Sequence, residues 1–111
     1  MTVKDLADAG LFELKNLGDD PGSVITQPFC CDLLSVAMGK APAGCAWVTV
    51  MANINTLAVA SLADAACIIL AEDAFLDDET CSKAVEQGIT LFTTSMPIFD
   101  AALSIYKKLD S

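Results

Sequence analysis

The sequence contains no histidine and no arginine. Histidine is the side chain whose ordinary titration falls near neutral pH, so the usual proton shuttle is absent. Arginine is the usual two-pronged grip on phosphate and carboxylate, and that is absent too. Both gaps argue against a catalyst and against a nucleic-acid binder. No apolar stretch reaches the ~18 residues of a membrane-spanning helix. Residues 1–16 are broken by Lys4, Asp5, Asp8 and Glu13, unlike the apolar block of a secretion signal. Neither GxxxxGK[ST] nor GxGxxG occurs, so no phosphate cradle of those kinds is expected.

What is present is apolar and acidic. Of the 111 residues 54% are apolar, and 15 acids against six lysines give a net charge of −9. A chain of this length suits one domain with its own core. The negative charge repels nucleic acid and anionic membrane surfaces. It also keeps an apolar small domain in solution. The five cysteines are Cys30, Cys31, Cys45, Cys67 and Cys81. The count is odd and no CxxC occurs, so reduced thiols in a cytoplasmic protein are expected. Their irregular spacing offers no zinc site, and neither a metal nor a cofactor is expected. The acidic run from Glu72 to Glu79 does not follow the EF-hand pattern; it reads as a solvated loop with helix-capping carboxylates, and an oxygen-liganded cation is the alternative.

The pattern alternates strands and helices. Thr2 and Asp5 cap a helix over 3–9 that Gly10 stops. Residues 11–16 alternate as a half-buried strand does, 17–22 form a turn, and 23–26 make a short strand ended near Pro28. Asp32 caps a helix over 33–38 that Gly39 ends. Residues 46–51 form a dense apolar strand. Asn53 caps the next helix, with Ile54, Leu57, Ala58 and Leu62 as its inward stripe. Strand 66–70 follows, then a helix capped by Asp77 or Asp78 that reaches Gln87 with Cys81, Ala84 and Val85 inward. Strand 89–93 precedes a last helix capped by Ser95 and buried along Ile98, Ala101, Ala102, Ile105, Tyr106 and Leu109. Residues 48–62 and 90–104 echo one another as strand, polar cap and alanine-rich helix. The expected architecture is a single α/β domain with a mostly parallel sheet of about four or five strands and helices packed on it.

In such sheets ligands sit beyond the carboxyl ends of the strands. Asn53 and Asn55, Glu72 and Asp73, and Thr93, Thr94 and Ser95 fall there. Free backbone N–H groups at helix starts can hold an anion without arginine. The expected ligand residues are therefore Asn53, Asn55, Thr94 and Ser95, with Asp32 positioning the Cys30–Cys31 loop. No catalytic residue is expected, because no histidine stands ready as a base for the thiols.

The segment Phe29-Cys30-Cys31-Asp32-Leu33-Leu34-Ser35 with Met38-Gly39 resembles the opening of short stand-alone members of the DRTGG domain family. Trp47-Val48-Thr49-Val50 and Asn53 to Leu70 are similar to that family's central strand–helix–strand. Glu86-Gln87-Gly88-Ile89-Thr90-Leu91 and Ser95 to Tyr106 are similar to its ending. Asn53-Ile54-Asn55 and Ala71-Glu72-Asp73 stand where the family's Asp-Arg and Thr-Gly-Gly elements belong. The family resembles the N-terminal domain of HPr kinase/phosphorylase without the kinase. The resemblance implies a bacterial regulatory module that is often dimeric, has no catalysis of its own, and occurs beside domains that respond to adenine nucleotides. The function expected is thus a non-catalytic sensing module that binds a small ligand, an adenine nucleotide or another anion, and self-associates as a homodimer. Two alternatives are a scaffold that docks a protein partner through apolar surface, and a redox sensor using Cys30 or Cys31.

Overall fold

Local sequence signals start and stop most of the helices. In the computed structural model, which describes residues 1–110, helix α1 spans Val3–Ala9. Thr2 and Asp5 form a reciprocal capping box at its start, and Gly10 at φ 71° closes it. Strand β1 spans Glu13–Asn16 and β2 spans Pro28–Cys30. Helix α2 spans Leu34–Lys40, β3 Ala46–Thr49, α3 Ile54–Ala63 and β4 Cys67–Leu70. Helix α4 spans Asp78–Gln87, β5 Leu91–Thr93 and α5 Ile98–Leu109.

The five strands form one sheet in the order β1-β5-β4-β3-β2. Strands β2 to β5 are parallel and neighbours in sequence, and β1 joins β5 antiparallel. The alternation of the strands splits the core in two. Val48, Ile69 and Phe92 face one side, where Val3, Leu6, Ala101 and Ile105 of α1 and α5 cover them. Trp47, Ile68 and Leu91 face the other, where Ala37, Leu57 and Ala84 of α2, α3 and α4 cover them. Burial on both faces is why β3 and β4 read as unbroken apolar runs. The expected single α/β domain with a mostly parallel sheet is what folds.

Several local expectations are corrected. The short strand expected at 23–26 is only a bridge between Val24 and Thr2, and Pro28 starts a strand rather than ending one. Pro28 lies on an edge strand, where proline's missing N–H is tolerated. Helix α2 runs past Gly39 to Lys40. Asp32 does not cap it; the N-cap is Leu33, with no side-chain hydrogen bond. Ser95 does not cap α5 either, whose N-cap is Pro97. On α3 only Leu57 of the expected stripe is buried, together with Thr56, Val59 and Ala60, while Ile54, Ala58 and Leu62 face outward. Val85 and Tyr106 also lie on exposed faces.

The N-terminal strand is tied to the end of α4. Asn16 Nδ2 donates to the carbonyls of Ile89 at 2.8 Å and Ala84 at 3.3 Å. The Gly18 amide donates to Thr90 Oγ1 at 2.9 Å, and the Asp19 amide to the Gly88 carbonyl at 3.0 Å. Gly18 lies so close to the Gly88 backbone that a Cβ there would collide with the Gly88 carbonyl. That close approach, more than turn geometry, requires glycine.

Candidate functional site

All four parallel strands end on one edge of the sheet, so the loops after β2, β3, β4 and β5 gather there. They form two separate groups. The first joins the β2 and β3 ends. Asp32 Oδ1 accepts from Thr49 Oγ1 at 2.7 Å and from the Val50 amide at 3.0 Å. Thr49, fully buried, accepts in turn from the Met51 amide at 3.2 Å. Trp47 Nε1 donates to the Cys31 carbonyl at 3.0 Å. Asp32 therefore ties the segment after β2, which carries Cys31, to the end of β3 by bonding across strands, while Cys30 belongs to β2 itself. Asn53 caps α3 as expected, with Oδ1 accepting from the amides of Asn55 at 2.9 Å and Thr56 at 3.2 Å. The carboxylate oxygen and amide oxygen are thus engaged within the fold.

The second group joins the β4 and β5 ends. The amides of Glu72 and Asp73 donate to the carbonyls of Met96 at 2.9 Å and Thr94 at 3.1 Å. Both residues sit in the left-handed region, at φ 57° and 56°. Two successive residues there turn the chain sharply away from the sheet. Residues 74–77 then run out over the edge before Asp77 caps α4, its Oδ1 accepting from the Thr80 amide at 2.8 Å. Glu72 Oε2 reaches the Ile98 amide at 3.5 Å, at the α5 start where Ser95 was expected to act.

This detour opens a cleft of about 370 Å³ between the loop, α4 and the β1–β5 pair. Thr93 and Thr94 after β5, the carboxylates of Asp73 and Asp78, and Cys81 of α4 line it. Lys15 of β1 supplies the single cation in the lining, paired with Glu13 at 3.0 Å. Phe75 stands at the rim with 82% of its surface exposed. Of the expected ligand residues only Thr94 lines this cleft. Asn53, Asn55 and Ser95 are exposed on the same edge outside it, and Asp32 belongs to the first group.

Lys15, Phe75 and Cys81 were not foreseen. Phe75, a lone aromatic inside an acidic loop, was the readable signal. Lys15 was not, because it enters only through the antiparallel pairing of β1 with β5. A second cleft, of about 240 Å³, lies at the opposite edge near Asp20, Asp64 and Thr90.

Cys30, Cys45 and Cys67 are not activated thiols. Partial burial, and secondarily the Asp32 carboxylate, push the Cys30 thiol up. Cys31 Sγ lies 3.3 Å from the Leu33 carbonyl. Burial pushes Cys45 up to about 11, and burial with Cys45 nearby pushes Cys67 up further. Among the described residues no group of three or more cysteines and carboxylates is placed to hold a metal ion, and no helix is long and apolar enough to cross a membrane. No protein-family model matches the chain, and no curated protein matches it.

Proposed function

We propose that the chain is a non-catalytic sensing module that binds a small polar ligand in the cleft beyond β4 and β5 and self-associates. The cleft itself carries this reading: it lies at the carboxyl edge of a parallel sheet, where such folds take ligands, and its volume falls within the ligand-pocket range. Its chemistry selects a class. Thr93 and Thr94 offer neutral hydrogen-bonding groups, Asp73 and Asp78 accept from amino groups, Lys15 attracts one anionic group, and the Phe75 ring gives a flat stacking face. A compact ligand with an amino-bearing ring and a single phosphate meets all four, and an adenine mononucleotide is the representative. A polyphosphate fits less well beside two carboxylates.

The DRTGG likeness and a cytoplasmic location belong to the same proposal, the second because five free thiols suit a reducing compartment. The redox alternative draws no support from Cys30, whose thiol is held up rather than down. The scaffold alternative is favoured by the apolar outward face of α2 and α3, which carries no carboxylate.

Thermal unfolding in the presence of adenosine monophosphate, adenine or inorganic phosphate tests the cleft. A ligand at about 100 times its Kd adds about 2.7 kcal/mol, which moves the melting midpoint by several degrees. The expected result is such a rise with the mononucleotide, abolished in Thr94→Val and in Lys15→Met. No rise with any of the three at millimolar concentration overturns the ligand reading.

A further inference from the structure

Helix α3 has two apolar faces, and the fold covers one. Leu57, Val59 and Ala60 are buried, while Ile54, Ala58 and Leu62 point to solvent, Leu62 with 75% of its surface exposed. These three recur every fourth residue and form one ridge along the helix. Helix α2 packs alongside and exposes Val36 and Met38. Between Asp32 and Asp64 the sequence carries one charged residue, Lys40. Isolated exposed apolar residues are ordinary, but an apolar face across two helices that holds no carboxylate, and only Lys40 at its margin, marks an interaction surface.

Charge and shape identify the occupant. Two copies of a chain carrying −9 repel wherever their acidic surfaces meet. Helix α4 exposes Asp78, Glu79 and Glu86, and α1 exposes Asp5 and Asp8. The sheet edges are closed to a second copy as well. Edge strand β2 has three residues and begins with Pro28, and edge strand β1 carries Glu13 and Lys15 and shifts register between Leu14 and Asn16. Helix α5 also exposes Phe99, Leu103 and Tyr106, but the exposed Asp100 lies beside them. The α2–α3 face carries no carboxylate between Asp32 and Asp64, so identical copies can meet there without bringing carboxylates together.

The ridge also fits itself. Its order is large, small, large, with Ala58 at the centre. A two-fold axis through Ala58 sets Ile54 of one copy against Leu62 of the other, twice, and the small central residue lets the helices approach.

We infer that a second copy of the chain docks antiparallel on α3 through Ile54, Ala58 and Leu62, with α2 flanking. This deepens the self-association in the proposed function and is independent of the cleft. A ten-residue helix is ~15 Å long and a neighbouring helix lies ~10 Å away, so the face covers ~300 Å² per copy. A standard interface buries about 800 Å² per partner, so the dimer is weak and in rapid exchange.

Sedimentation equilibrium of the full chain from about 1 μM to about 1 mM tests this, at low and high sodium chloride. The expected result is a dimer that grows with concentration and tightens several-fold at high salt, as screening weakens the repulsion. Ala58→Glu and Ala58→Lys each lower self-affinity at least about tenfold, with melting midpoints near the parent's. Their equimolar mixture forms a heterodimer, and Val85→Glu on exposed α4 dimerises like the parent. A dimer that survives Ala58→Glu unchanged overturns this face while leaving self-association standing. Two monomeric variants that fail to pair when mixed overturn the axis through Ala58. A parent chain that stays monomeric at the highest concentration overturns both, and the ligand-induced melting shift is read separately from all of these.

Discussion

At the scale of single residues, Asp32 shows how a sequence signal can be right in its chemistry and wrong in its partner. An aspartate just ahead of an apolar helical run reads as a cap, and its oxygen does accept a backbone amide. The amide is that of Val50, on the neighbouring strand's end, and the stronger partner is the buried Thr49 hydroxyl. No local pattern reports a contact between residues so far apart in sequence. Asp32→Ala strips one partner from a buried hydroxyl and costs about 1–3 kcal/mol. Asp32→Asn keeps the acceptor oxygen and costs less than half as much. Urea unfolding of both variants measures the difference, and equal losses would show that charge, not the hydrogen bond to Thr49, is what matters. The caps read from sequence that survive, Thr2 with Asp5, Asn53 and Asp77, all serve amides within three residues. Local partners were legible; distant ones were not.

At the scale of elements, α3 was located correctly and its orientation was not. Its apolar residues surround the helix, so periodicity supplies no contrast from which to choose an inward face. α5, whose Asp100 and Lys107 are exposed while Ala101 and Ile105 are buried, was oriented well apart from Tyr106. The short β1 and β2 were blurred for another reason. They are edge strands with no fully buried residue, so they lack the apolar signature of β3 and β4. The candidate site suffers from both effects: Thr94 was legible as the end of a buried strand, while Lys15 depends on an edge pairing. Asn53→Ala removes the α3 cap and lowers stability by about 1 kcal/mol. Because Asn53 stands outside the cleft, the same variant keeps the full melting shift with the mononucleotide. Loss of that shift would move the binding site to the α3 start.

At the scale of the whole molecule, two trends with pH oppose each other. Hydrogen bonds from the backbone and hydroxyl of Thr2 hold the Asp5 carboxyl below its usual value, and Thr80 does the same for Asp77. Lys15, by hydrogen bond and charge, lowers Glu13. A carboxyl whose value is depressed by folding stabilises the fold above its ordinary range, near 3.8 for Asp and 4.5 for Glu, and loses that contribution as pH falls through the lowered value. Protonation of other carboxylates meanwhile relieves the repulsion of a −9 chain. The melting midpoint is therefore expected to hold or rise from neutrality to about pH 5 and to fall below about pH 4. Circular dichroism melts across that range check it; a steady fall between neutrality and pH 5 would mean that a group other than these three carboxyls governs stability there.

The pairing of β1 with β5 joins the sixteenth residue to the ninety-first, the longest reach in sequence of any strand pair in the sheet. During synthesis the first strand emerges long before its sole partner exists, while β2, β3 and β4 follow one another and can zip as they appear. Assembly thus runs outward from the middle of the chain, and the amino-terminal arm waits. Pulse-labelled hydrogen exchange during refolding should protect the amides of β3 and β4 before those of β1. A nascent chain stalled before residue 91 would carry an unlatched arm and a bare sheet margin, the state most exposed to chaperones and proteases.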